Sequence, residues 1–358
     1  MEIVKLGDVL KYEQPTKYIV NSTQYNNDFD TPVLTAGKSF LLGNTDEVDG
    51  IFKDIPVIIF DDFTTAIKFV DFPFKVKSSA MKILKPNKDI ADIRFLFYRL
   101  MKIKINSSQH KRYWISKYSQ LEIPLPTLPE QKRIAAILDE ADKIRLLNKK
   151  LIKKYEALTY SLFLDMFGDP VVNPMGWEVD YLQDVADINM GQSPKGESYN
   201  SVGIGAPLLN GPTEFGKIYP IEKQWTSEPK KFCKKDDILF CVRGATAGRM
   251  NWSDKEYSIG RGLAAIRSNS STSDKYIYMI LEMLYDTFQR TSNGSTFINI
   301  SRDDLRKVKI PRTSNAFQNQ FTSRIEAIEK QKVVAEISLQ KSEDLFNALL
   351  QRAFKGEL

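Results

Sequence analysis

The chain has 358 residues, 42% hydrophobic and 27% charged, which suits two folded units in water rather than a disordered or fibrous protein. No stretch approaches about 18 uninterrupted apolar residues, and the opening MEIVKLGDVLKYEQ carries no basic-then-apolar leader. A membrane span and a secretory signal are therefore not expected, and a cytoplasmic location is. One histidine, His110, and two cysteines, Cys233 and Cys241, exclude multi-histidine zinc sites and a disulfide framework, while the net charge of +6 permits a polyanionic partner without requiring one.

In chain order, residues 1–127 read as a globule with a buried strand at 55–60 and a helix at 92–104, the latter opening on Asp92. The run PLPTLP (124–129) closes it. Thr127 and Glu130 have the spacing of a capping box, with Pro129 in the first helical turn where its missing N–H costs little. A long helix over 128–167 follows, then a Gly/Pro-punctuated linker at 168–177. A second globule over 178–311 has a Gly- and Asn-rich loop at 189–205, a strand at 237–242 and a helix at 274–290. Residues 312–358 form a second long helix.

The second half echoes the first at an offset of about 180 residues. Leu6-Gly7-Asp8-Val9 corresponds to Leu182-Gln183-Asp184-Val185, and Pro32-Val33-Leu34 to Pro207-Leu208-Leu209. PVIIFDD (56–62) corresponds to DDILFCV (236–242), and Ser116, Leu121 and Pro126 to Ser301, Leu305 and Pro311. EQKRI (130–134) matches FQNQF (317–321), and YEALTYSLFLDMFGD (155–169) matches the C-terminal SEDLFNALLQRAFKGEL (342–358). Each half has the same plan: a strand-rich globule, a proline-bounded exit and a long helix.

The first long helix carries a seven-residue pattern. Position a takes Ile134, Ala141, Asn148, Tyr155 and Leu162, and position d takes Ile137, Ile144, Leu151 and Leu158. Asn148 is the polar exception of the kind that sets register. At roughly 58 Å this helix is too long to bury its stripe in one small globule. Its repeat offers Phe321, Ile325, Ile328, Ala335, Leu339, Phe346 and Leu349 as a partner stripe. The expected fold is α+β: two repeated α/β globules separated and joined by two long helices in an antiparallel coiled coil with pseudo-twofold symmetry. Core helices of two ordinary domains are the alternative. Lys149, Lys150, Lys153 and Lys154 read as a solvated face, or else as a phosphate or partner contact.

LPEQKRIAAILDEADKI followed by YEALTYSLFLDMFGDPVVNPMGW resembles the central helix and junction of type I restriction–modification specificity subunits. DDILFCVRGATAGR, NGSTFINIS and the terminal LLQRAFKGEL resemble that family's second target-recognition domain and closing helix. The resemblance covers essentially the whole chain. It implies a non-catalytic subunit whose two target-recognition domains read a bipartite, interrupted double-stranded DNA sequence. It implies too that the paired helices space the halves and dock two DNA adenine methyltransferase subunits, with restriction/translocase subunits completing the assembly. No cofactor is then bound by this chain; S-adenosylmethionine, ATP and magnesium belong to the partners. Two departures mark the first half, which has QHKRYWIS (109–116) in place of NGSTFINIS (293–301) and FDDFTTAIK (60–68) in place of FCVRGATAGR (240–249).

Base reading needs paired donors and acceptors, and affinity needs phosphate contacts. In the second half Arg243 and Arg249 stand beside glycines just after a strand, Arg261 lies between Gly260 and Gly262, and Asn293, Ser295 and Thr296 form a small polar loop. The first-half candidates are Lys38, Thr64, Thr65, Lys68, Lys111, Arg112 and Tyr113. A catalytic centre is not evident: GQSPKGES (191–198) has a phosphate-loop spacing but Glu197 where lysine is required, and Asn173-Pro174-Met175 lacks the residues of an adenine-methyltransferase motif. A methyltransferase or nuclease in its own right, and a coiled-coil scaffold without a DNA role, stand as alternatives.

Overall fold

The apolar run VIIF cannot lie on a surface, and it forms the strand Val57–Asp61, buried at every position. In this computed structural model, which describes residues 2–37, 39–103, 112–269, 271–290 and 298–358, that strand is central in a four-stranded antiparallel sheet. Its order is Leu10–Glu13, Met81–Pro86, Val57–Asp61, Ile67–Val70. Alternate residues serve two cores. Ile58 and Phe60 pack with Leu96, Trp114 and Tyr118. Val57 and Ile59 pack with Phe52, Phe74 and with Leu34 and Val76 of a second sheet, ordered Leu41–Thr45, Thr31–Leu34, Lys75–Val76.

The internal repeat is a repeat of topology. In the second half Ile238–Cys241 is the buried central strand of a sheet ordered Ala186–Met190, Leu263–Ser268, Ile238–Cys241, Met250–Trp252. Ile238 and Phe240 enter the core with Tyr276 and Ile277, and Leu239 and Cys241 the core with Leu209, Tyr257 and Ile259. The matched Val33-Leu34 and Leu208-Leu209 each pair in parallel with a later strand, at Lys75-Val76 and Ser258-Ile259. Entry and exit are zipped alike: Glu2–Lys5 runs antiparallel to Glu122–Leu125, and Val179–Tyr181 to Lys309–Pro311.

The helix expected at 92–104 is Ile93–Lys102, with Asp92 as its cap accepting the Phe95 N–H at 2.9 Å. The one expected at 274–290 is divided at Leu284 (φ −83°, ψ 0°) into Asp274–Met283 and Tyr285–Arg290. The two long helices span Leu128–Phe167 and Asn315–Ala353. Contacts divide the chain into two units, residues 1–150 with 336–358 and residues 151–335, so each unit holds one globule and a portion of both helices. The stretch 168–177 is less a linker than a closed turn of the second unit. Asn173 caps the Trp177 amide at 3.0 Å, and the indole of Trp177 donates to the Phe167 carbonyl at 3.0 Å.

The capping box does not form as the sequence suggests. Glu130 does not fold back on the chain; its carboxylate binds Arg133 at 2.7 and 2.9 Å. The next residue does the holding. Gln131, fully buried, donates to the carbonyls of Ile90 and Pro126, both at 2.9 Å, and accepts the Asp92 N–H at 2.8 Å. Its repeat partner Gln318, also buried, accepts the Ser273 N–H at 2.8 Å and donates to the Thr313 carbonyl at 3.2 Å. In both units a glutamine thus joins the first turn of a long helix to the start of the shorter helix beneath it.

The helices pair antiparallel within each unit. In the first, Arg145 stacks on Phe346, Asn148 donates to the Ser342 hydroxyl at 3.2 Å and Lys149 binds Glu343 at 2.9 Å. In the second, Lys332 binds Glu156 at 2.8 Å and Phe163 meets Phe321 with ring centroids 5.5 Å apart. The track Ile134, Ala141, Asn148, Tyr155, Leu162 is buried or half-buried. Its companion requires correction. Leu138, Arg145, Ile152, Thr159 and Met166, four residues on, face inward, whereas Ile144, Leu151 and Leu158 are 47%, 39% and 47% exposed and Ile137 is half-buried. Positions three and four residues on flank the same track, and apolar residues occupy both sides, so counting could not choose between them. The polar Arg145 is accommodated inside by Asp142 and Phe346, and Thr159 by the Tyr155 carbonyl at 3.2 Å. On the second helix Phe321, Ile328, Leu339 and Leu349 all lie on the inward track, completed by Lys332 and Ser342. Among the described residues no helix is long and apolar enough to cross a membrane.

Replacing Gln131 by leucine keeps the volume but leaves one partly buried N–H and two carbonyls without this partner. Urea unfolding of Gln131→Leu is expected to register a loss of about 2–4 kcal/mol. A loss below about 0.5 kcal/mol, the range of an ordinary surface substitution, contradicts the clamp.

Candidate nucleic-acid interface

Where the second unit's chain crosses from one sheet to the other, three strand ends converge. Strand Ala206–Leu209 ends at Asn210, strand Ile238–Cys241 runs into Val242-Arg243, and the turn Gly260-Arg261-Gly262 joins Tyr257–Ile259 to Leu263–Ser268. Backbone bonds lock them together: Gly260 N–H to the Leu209 carbonyl at 2.8 Å, and Val242 N–H to the Gly262 carbonyl at 2.9 Å. The approach is so close that only glycine fits. A Cβ at Gly260 would lie 2.3 Å from Asn210 Oδ1, and one at Gly262 would lie 2.2 Å from the Asn210 carbonyl. The glycines beside Arg261 thus pack the turn so that the arginine side chain points outward.

Arg243 and Arg261, distant in sequence, line one cleft of about 480 Å³ together with Ser193, Tyr199 and Asn210. Both arginines are exposed, and neither has an ion-pair partner among the described residues. The floor is rigid. Asn210 donates to Gln224 at 2.8 Å, the buried Glu214 carboxylate accepts the Asn210 and Gly211 N–H groups at 3.2 and 3.1 Å, and Ser193 accepts the Arg261 N–H at 3.1 Å. Two guanidinium groups with no ion pair among the described residues, over a hydrogen-bonded polar floor, can donate in pairs to acceptor edges or to phosphate oxygens. Arg249 does not join them; it lines a different cleft with Tyr160 and Glu282. Asn293, Ser295 and Thr296 lie outside the described residues.

The first unit arranges its candidates differently. Asp61 binds the Thr64 hydroxyl and accepts the Phe63 N–H at 2.9 Å, and Thr65 takes a left-handed conformation (φ 61°) in the same tight hairpin. Thr64 and Thr65 therefore build a turn, with Thr64 exposed on it and Lys68 exposed on the strand that follows. Tyr113 is withdrawn from the surface. It is 1% exposed in the core with Phe60 and Trp114, because its helical turn is tied below the hairpin by the Asp62 carboxylate, which accepts the Trp114 N–H at 2.8 Å and faces Lys82 at 3.5 Å. Arg112 is exposed at that turn, and Lys38 and Lys111 lie outside the described residues.

Lys77, which is not among the sequence candidates, takes the place in the first unit that Gly260 takes in the second. Its N–H binds the Leu34 carbonyl at 2.9 Å as Gly260 binds that of Leu209, and the side chain is exposed. The matched Pro32-Val33-Leu34 and Pro207-Leu208-Leu209 located the first strand of this pair. Its parallel partner is only two residues long in the first unit and leaves no sequence pattern.

Residues 1–157 and 174–337 each match the family described as the type I restriction modification DNA specificity domain, and the chain belongs to that family. It is 43% identical over 171 residues to the EcoR124I/EcoR124II type I restriction enzyme specificity subunit of Escherichia coli, a match covering 46% of this chain and 41% of that protein. It is 31% identical over 283 residues to the putative MjaX type I restriction enzyme specificity subunit of Methanocaldococcus jannaschii, covering 72% of this chain and 66% of that one. The chain thus matches between 41% and 66% of the length of these two curated relatives. A solved type I restriction–modification S subunit from M. genitalium shares the fold, with a TM-score of 0.59 at 17% identity, covering 99% of this chain and 96% of that one. So does a chain from a structural study of type I complex assembly and conformational transition, at 0.60 and 24% identity, covering 100% and 98%.

The glycine constraint is directly testable. Gly262→Ala is expected to lower the stability of the second unit by about 1–3 kcal/mol, as overpacking does, in thermal unfolding. Gly211→Ala, where an added Cβ meets nothing within 4 Å, is the control. Equal melting of the two variants contradicts the close approach.

Proposed function

We propose that this chain is the DNA-reading specificity subunit of a type I restriction–modification complex and is not itself an enzyme. The observation that carries the reading is the Arg243–Arg261 cleft, held on glycine-packed turns within a matched specificity domain. Its guanidinium groups suit guanine edges or phosphates of double-stranded DNA. Each of the two units reads one half of a bipartite, interrupted target, and their different loops read different bases. The long helices serve as the platform for two DNA adenine methyltransferase subunits, to which restriction/translocase subunits add. Supporting this, the inward tracks are already filled, yet Ile144 and Leu147 in the first unit and Leu151 and Leu158 in the second stay exposed on the first long helix. S-adenosylmethionine, ATP and magnesium belong to the partner subunits.

Fluorescence anisotropy with target duplex, run with the methyltransferase subunit present, tests the cleft. Arg243→Ala and Arg261→Ala are each expected to weaken binding by about 1–3 kcal/mol where they contact bases, and to lower the salt slope by about one where they contact phosphate. Unchanged affinity and slope in both variants refutes the assignment, and methylation or cleavage by the purified chain alone refutes the non-catalytic reading.

A chimaera tests the division of labour. Replacing residues 1–127 by the corresponding globule of a relative is expected to change one half of the methylated sequence and leave the other. Simultaneous change of both halves contradicts independent reading.

A further inference from the structure

The second unit contains a cleft of about 560 Å³ that the DNA-reading proposal does not use. Its walls are aromatic: Tyr160 comes from the first long helix, Tyr278 from the helix Asp274–Met283, and Tyr285 from the short helix that follows. Tyr278 is braced from behind by Trp252, stacked at 4.9 Å with the ring planes 14° apart. Gly248 (φ +89°) lets the opposite loop approach, since a Cβ there would lie 3.0 Å from the Tyr285 ring.

Among these rings stands Glu282. Burial pushes its carboxyl above the usual carboxylate range, and the partner that opposes this is the Tyr160 hydroxyl. No basic side chain among the described residues forms an ion pair with it; Lys332 acts on it only at a distance and is itself bound to Glu156 at 2.8 Å. Arg249 and Asp286 also line the cleft, so it offers two carboxylates against one guanidinium. Buried carboxylates are ordinarily paired, and tyrosine faces attract cations through the ring quadrupole. A cleft with a half-buried acid, aromatic walls and two carboxylates against one guanidinium is complementary to an organic cation.

We propose that this cleft is a binding site for a guanidinium or alkylammonium head group, held against the tyrosine rings with its charge on Glu282. A cation of that kind replaces the missing counter-charge, whereas a neutral ligand leaves the carboxylate as it is. The site is independent of DNA reading, so its failure leaves the function proposed above untouched.

The probes are ethylguanidinium and its neutral isostere ethylurea, added to the full chain carrying ¹³C-methyl methionine. Met250 and Met283 line the cleft and report on it, their signals being assigned from Met→Leu variants. Ethylguanidinium is expected to shift both signals saturably while ethylurea does not, and E282Q is expected to weaken the response at least tenfold. No saturable shift, equal shifts with the two probes, or wild-type affinity in a folded E282Q each overturns the proposal. The comparison of charged with neutral probe needs no variant and stands even where E282Q fails to fold. Spectra of the chain bound to its methyltransferase subunit distinguish the sources of the cation. Signals already shifted before any probe is added assign the head group to an arginine or lysine of that subunit. Signals that shift only on addition assign it to a free amine. Either supports the site.

Discussion

Each unit of this protein hangs on one buried glutamine. Gln131 and Gln318 sit in the first turn of the long helices, beside partly buried backbone N–H and C=O groups that they satisfy. An amide carries both donor and acceptor, so one side chain satisfies the helix entry and the start of the neighbouring short helix together. That fixes the direction in which each long helix leaves its globule. The inward tracks, the antiparallel pairing in each unit and the faces left to solvent follow from that direction.

The central strands exert a second constraint. Because Val57–Asp61 and Ile238–Cys241 are covered on both faces, the loops at their ends are the places where polar side chains can gather in the open. The second unit uses glycines there, and two arginines reach the same cleft. In the first unit Asp61 and Asp62 occupy the matching strand end and turn it inward, binding Thr64, Trp114 and Lys82. A shared scaffold therefore carries two surfaces of different chemistry.

Two of the candidate residues, Arg243 and Arg261, stand where chemistry and local geometry coincide. Arg261 between two glycines is such a case, since the glycines mark a backbone approach that the structure contains. Tyr113 was not legible, because Lys111-Arg112-Tyr113 looks like an exposed basic run until Asp62, far away in sequence, draws the ring into the core. Glu130 looked like a capping residue and chose Arg133 instead, while the glutamine beside it carried the helix start. Exposed ion pairs and caps are close in energy, and the surroundings decide between them.

The sequence by itself determined the duplication, the buried central strands and the two long helices, because apolar periodicity and repeated order are local properties that survive without coordinates, and its motifs carried the resemblance to the family. Tertiary structure alone decided which flank of the helical stripe faces its partner, that Arg243 and Arg261 share a cleft, that Arg249 lines another, and that Glu282 shares that second cleft with three tyrosines. Those outcomes depend on packing between segments far apart in the chain, where apolar or charged residues stand on both sides of the choice and only the enclosing shape distinguishes them.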